Sequence, residues 1–132
     1  MRFPYCGAGI GLVYKDKLLV GKRNDHPFYG LWAVPGGGRE AYDKDDLSTA
    51  IRELKEETGI IFTNLNSKKI CSWTLKLPFF KWTTYYFSID CDLSDFKVNE
   101  FSELKWVNVS EIKKMHLRPF MAFEVRFLQK YL

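Results

Sequence analysis

The chain has 132 residues, 46% hydrophobic and 27% charged, which is enough for one globular core and excludes disorder or collagen-like repeats. Its net charge of +4 is spread along the whole chain; it suits an anionic small molecule and falls short of a nucleic-acid footprint. The three cysteines, Cys6, Cys71 and Cys91, lack CxxC spacing and have only two histidines for company, which argues against a disulfide scaffold or structural zinc and for small buried hydrophobes.

No apolar run approaches the roughly 18 residues of a membrane span. Met1-Arg2-Phe3-Pro4-Tyr5 lacks the apolar stretch of a secretory leader. A soluble, cytoplasmic chain with no membrane partner is expected, and the absence of repeats, linkers and low-complexity tracts predicts one domain over residues 1–132.

Residues 5–14 are apolar and glycine-containing, the pattern of a strand that other backbone approaches closely. Lys15-Asp16-Lys17 makes a tight turn, and Leu18 to Arg23 returns as the second strand of a hairpin. Asn24-Asp25-His26-Pro27 reads as a loop. Leu31 to Val34 is short and extended, pushed toward β by Pro35. Gly36-Gly37-Gly38 then opens a flexible loop lasting to about Asp46. A helix follows, capped by Asp45 or Asp46 and ended by Gly59, with Leu47, Ala50, Ile51 and Leu54 as its buried stripe. Residues 69–77 and 82–91 form two strands across Pro78-Phe79-Phe80-Lys81, and residues 103–107 form another. A last helix begins near Pro119, with Phe120, Phe123 and Phe127 on one side. Strands, helix, strands and helix in this order predict an α+β fold, an α/β/α sandwich with a mixed sheet between helices.

The middle helix carries the chemistry. Glu53, Glu56 and Glu57 fall on one side of it, about a third of a turn from the apolar stripe. Like charges three and four residues apart repel, so a cation or solvent must absorb them. An all-oxygen donor set suits Mg²⁺ or Mn²⁺, which bind carboxylates together with substrate phosphates. The glycines upstream let backbone lie close to both.

Gly-Gly, a short loop and then Arg52-Glu53-Leu54-Lys55-Glu56-Glu57-Thr58-Gly59-Ile60 resembles the signature of the Nudix (MutT-like) hydrolases, G-x5-E-x7-R-E-U-x-E-E-x-G-U with U aliphatic. The second half matches at every specified position. Gly30-Leu31-Trp32, Pro35-Gly36-Gly37 and Glu40 are also family-like, and the strand-rich remainder fits the Nudix sandwich. The first glutamate is missing. Counting back from Arg52 places Lys44 there, with Gly38 as the glycine. Counting forward from Gly37 places Asp43 there, with one extra residue before the helix. The second register is preferred.

The resemblance implies Mg²⁺- or Mn²⁺-dependent hydrolysis of a nucleoside diphosphate linked to another group, by water attack at phosphorus. It implies Glu53, Glu56, Glu57 and Gly37 as metal site, with Arg52 holding helix and loop in register. Glu53, Glu100 and Glu103 are candidates for taking the proton from water. Arg23 and Arg39 are candidate phosphate contacts, and Phe28 and Tyr85 candidate base-stacking groups. Asp43 and Glu40 would support the loop. The expected partner is a nucleotide-type small molecule rather than a nucleic-acid polymer, bound by a monomer or homodimer. Weaker similarity to GDP-mannose mannosyl hydrolases gives a second reading. A Nudix-fold module that senses a nucleotide without turnover gives a third.

Overall fold

The computed structural model describes residues 4–25, 28–96 and 101–132. Strand β1 (Tyr5–Tyr14) is the spine of the sheet. Strand β2 (Lys17–Arg23) returns antiparallel to it through the expected turn, where Lys15 takes the left-handed backbone. Strands β3 (Trp32–Ala33) and β4 (Gly36–Gly38) follow, β3 against β2 and β4 against β1. Beyond helix α1 (Asp46–Thr58) and a 3₁₀ turn at Phe62–Asn64 lie β5 (Ser67–Leu77) and β6 (Phe80–Ile89). Strand β7 (Phe101–Asn108) pairs with β2, and helices α2 (Val109–Ile112) and α3 (Met121–Gln129) close the chain. The path is β3-β2-β1-β6-β5, with β4 and β7 as side branches. β1 and β6 run parallel, so the sheet is mixed, as the α+β reading requires.

Alternation along the strands gives the sheet two apolar faces. Ala8, Ile10, Leu12, Leu19 and Phe87 pack with Ala50 and Leu54 of α1. Val13, Leu18, Val20 and Tyr86 turn the other way, onto Val109 and Ile112 of α2 and Met121, Val125 and Leu128 of α3. Leu54 is fully buried, and its truncation to alanine would cost about 2–5 kcal/mol. Helix α1 starts at Asp45, whose carboxylate accepts from the Ser48 N–H at 2.8 Å, and ends at Gly59 with φ of 80°.

Four expectations change. The three glycines do not open a loop: Gly36, Gly37 and Gly38 pair with Gly9, Ala8 and Gly7 of β1. A Cβ on Gly36 would sit 2.6 Å from the Gly9 Cα, so strands this close tolerate no side chain. The charges of the α1 glutamates are met within the protein as well as by solvent, Glu53 and Glu56 by Arg52 and the buried Glu57 by the Gly36 N–H. In α3 the inward stripe is Met121, Glu124, Val125 and Leu128, while Phe120 and Phe123 are exposed. Of the cysteines only Cys71 is buried; Cys6 is intermediate and Cys91 exposed. No helix among the described residues is long and apolar enough to cross a membrane.

Candidate functional site

Arg52, on the second turn of α1, ties the helix to the segment before it. Its Nε and Nη2 donate to the two Asp43 oxygens at 3.0 and 2.9 Å, and Nη2 also donates to the Gly38 carbonyl at 2.9 Å. Nη1 reaches Glu53 at 3.0 Å and Glu56 at 2.9 Å. Asp43 also accepts from the Glu40 N–H and the Thr49 hydroxyl, both at 2.9 Å. The Arg52 guanidinium, helped by these donors, holds the Asp43 carboxyl well below the usual carboxylate range. Lys44 is exposed beside it. Glu40 contributes its backbone N–H, and its side chain is exposed.

The remaining carboxylates flank the glycine strand. Glu57, 1% exposed, accepts from the Gly36 N–H at 2.7 Å and so pins β4 to α1. A Cβ on Gly37 would stand 2.5 Å from the Glu53 carboxyl carbon, and one on Gly7 would stand 2.9 Å from the Gly37 carbonyl oxygen. Only glycine fits this cradle. Its donors are all oxygen, the chemistry Mg²⁺ and Mn²⁺ take. Among the described residues no three His, Cys, Asp or Glu side chains converge on one point, because Arg52 draws Glu53 and Glu56 while Gly36 draws Glu57. Arg52 keeps Asp43 and Gly38 through Nε and Nη2 alone, so its anchor does not depend on the Nη1 contacts that cation binding would exchange. The donor set fits.

Gly36–Gly38 and Glu53 also wall a cavity of about 660 Å³. Its other walls are Tyr5, Arg23, Phe28, Leu77, Phe80, Trp82, Arg118, Pro119 and Phe120. Phe28 and Phe120 sit at φ of 68° and 69°, a costly backbone for bulky residues, and both line this one cavity. Arg118 packs its guanidinium 5.0 Å from the Trp82 ring centroid. It pairs at 2.8 Å with Glu124, which is fully buried and also accepts from the Tyr86 hydroxyl at 3.1 Å.

The structure therefore gathers Glu53, Gly37, Arg23 and Phe28 around one space, with Arg52, Glu56, Glu57 and Asp43 behind it. Three candidates lie elsewhere. Arg39 lines a separate cavity of about 460 Å³ and is bound to Asp46 at 3.3 Å. Tyr85 packs in the α1-side core, with the Lys69 ammonium over its ring. Glu103 faces Lys105 at 3.7 Å on β7, outside the lining residues. Glu100 lies outside the described residues. Tyr5, Trp82 and Arg118 were not foreseen: they come from three distant stretches of chain, and only Pro119, as a helix-start signal, points near the third.

A family model of the NUDIX domain matches residues 7–131, nearly the whole chain. The chain belongs to the Nudix family. Among relatives, the ADP-ribose pyrophosphatase of Methanocaldococcus jannaschii is 44% identical over 52 residues, 39% of this chain and 30% of that protein. The RNA pyrophosphohydrolase of Zymomonas mobilis is 35% identical over 91 residues, 69% of this Nudix chain and 53% of that protein. The matches thus span about a third to a half of these relatives' lengths. A bifunctional NMN adenylyltransferase/ADP ribose pyrophosphatase from Francisella tularensis, solved with AMP and a Mn ion, superposes with a TM-score of 0.72 at 23% identity, over 97% of this chain and 42% of that one. At that identity the likeness is one of Nudix fold.

Proposed function

We propose that this Nudix chain is a divalent-cation-dependent pyrophosphohydrolase that cleaves a nucleoside diphosphate linked to a second group by water attack at phosphorus. The observation that carries the reading is the shared wall: Glu53 and the glycine strand border a cavity whose other sides are aromatic rings and two arginines. The relatives named for ADP-ribose and RNA pyrophosphate hydrolysis support the substrate class.

Glu53, Glu56, Glu57 and the Gly37 carbonyl would hold Mg²⁺ or Mn²⁺. Such a cation neutralises diphosphate charge and lowers the pKa of a bound water. Arg52, held by Asp43 and Gly38, fixes the helix against the glycine strand, so the donors keep one register. Arg23 offers its guanidinium to a phosphate. Phe28, which is exposed, offers a ring face to a base, while the buried Trp82 closes the wall behind it and excludes water. Glu53 borders the cavity and is the best-placed of these carboxylates to accept the proton of the attacking water.

The test is incubation with Mg²⁺ and a panel of ADP-ribose, dinucleotides, nucleotide sugars and nucleoside triphosphates, followed by product identification. A nucleoside monophosphate among the products supports the proposal. Free sugar with a nucleoside diphosphate would indicate glycosyl hydrolysis, and ligand retained without product would indicate a sensor.

A further inference from the structure

The Tyr5 phenol lines the cavity beside the glycine strand. Its ring stacks on Phe80 with centroids 5.5 Å apart and planes 17° from parallel, and its backbone N–H bonds to the Phe79 carbonyl at 2.9 Å. The ring is thereby fixed. A Cβ on Gly7 would fall 2.8 Å from the Tyr5 hydroxyl, and one on Gly38 3.7 Å from it, so the oxygen lies over the meeting of β1 and β4. Among the described residues that hydroxyl has no hydrogen-bond partner. No described residue bonds to it, and phenylalanine would stack on Phe80 equally well.

Glu53 and the two cavity arginines, Arg23 and Arg118, act electrostatically on the hydroxyl, with Cys6 the smallest influence. A phenol titrates at about 10 in water, so at neutral pH the Tyr5 hydroxyl carries its proton and can donate. Arg118 donates to Glu124 and to the Pro119 carbonyl, which makes it a source of field more than a contact.

We propose that the Tyr5 hydroxyl is a substrate-binding donor, holding a phosphate oxygen of an anionic nucleotide between the glycine strand and the arginine wall. The assignment rests on the pyrophosphohydrolase reading for its substrate class, and on the cavity alone for its geometry. A donor to a charged oxygen contributes binding common to ground and transition states, so its loss appears in KM more than in kcat.

The experiment compares the wild-type chain with Tyr5→Phe by calorimetric titration of ADP and of adenosine in Mg²⁺, by steady-state hydrolysis of ADP-ribose, and by thermal melting. The expected result is ADP affinity and KM worse by roughly 10–100-fold. Adenosine affinity, kcat and melting temperature should stay unchanged. Equal ADP affinity in the two proteins would overturn the proposal. So would an equal loss for adenosine, which would place the hydroxyl on the nucleoside, or a lowered melting temperature, which would give it a structural task. If the wild type turns over no compound of the panel yet binds ADP more tightly than Tyr5→Phe does, the hydrolase reading fails and the Tyr5 assignment stands. If the wild type neither binds ADP nor hydrolyses any compound of the panel, both fall.

Discussion

Replacing Asp43 with alanine removes four hydrogen bonds at one carboxylate: two from Arg52, one from Thr49 and one from the Glu40 backbone. Breaking a buried pair by deleting one partner costs about 3–5 kcal/mol when the remaining charge is left uncompensated. Arg52 is better placed than that, because Glu53, Glu56 and the Gly38 carbonyl still hold it and its side chain is 19% exposed. A loss of about 2–3 kcal/mol is therefore expected. At roughly 3–4 °C per kcal/mol for a chain of this size, the melting temperature should fall by about 6–12 °C. Asp43→Asn keeps the shape and one acceptor and should fall by less. Hydrolysis should drop by about 10–100-fold, the scale of a lost supporting partner rather than a lost ligand. Melting followed by circular dichroism and initial rates in Mg²⁺ read both effects. A variant that melts within about 2 °C of wild type at the wild-type rate would refute the reasoning, since surface substitutions commonly stay that small.

Asp43 also sets a pH dependence. Its carboxyl titrates below its unfolded value of about 3.9, so its stabilisation is full above roughly pH 5 and is lost as pH falls through 4 toward the folded value. The melting gap between wild type and Asp43→Asn should be constant from neutral pH to about 5 and narrow from there to pH 3; parallel curves throughout would contradict the assignment. Glu56→Gln removes an exposed carboxylate and should leave melting nearly unchanged. Glu57→Gln keeps an acceptor for the Gly36 N–H. Both should lose more than about 100-fold in rate, beyond what a supporting partner costs, as kinetics over a Mg²⁺ series would show. Gly37→Ala drives a methyl into the Glu53 carboxyl carbon at 2.5 Å and should abolish turnover at a stability cost of about 1–3 kcal/mol. Lys44 is exposed, so Lys44→Ala and Lys44→Glu should both leave Mg²⁺ affinity unchanged; a marked gain from Lys44→Glu would favour the register that places it at the missing glutamate.

The elements were largely legible because their signals are local. Asp45 and Gly59 bracket α1 through cap chemistry, and Pro35 enforces the extended run before it. The glycine strand was misread because flexibility is glycine's intrinsic property, whereas pairing with β1 depends on Gly7 and Gly9, nearly thirty residues away. The α3 face was misread for a related reason. Glu124 is buried only because Arg118 and Tyr86 bond to it, and periodicity cannot show such partners. The site divided along the same line. Arg52, Glu53, Glu56 and Glu57 stand together in sequence, and Arg23 and Phe28 precede the glycines closely. Residue type alone marks Tyr85 and Glu103 in the sequence, and strand register sends both away from the cavity. Tyr5, Trp82 and Arg118 are joined only by the fold.

Water attack at phosphorus is the central claim, and the fate of the water oxygen tests it. Hydrolysis of ADP-ribose in ¹⁸O-labelled water with Mg²⁺, with products resolved by mass spectrometry against a no-enzyme control for exchange of the free anomeric oxygen, should place one label on a phosphate oxygen of AMP or ribose phosphate and none on a non-anomeric sugar hydroxyl. Glu56→Gln should give no labelled product above background. Label on a non-anomeric sugar oxygen in place of phosphate, or equal hydrolysis with the divalent cation chelated, would contradict the account.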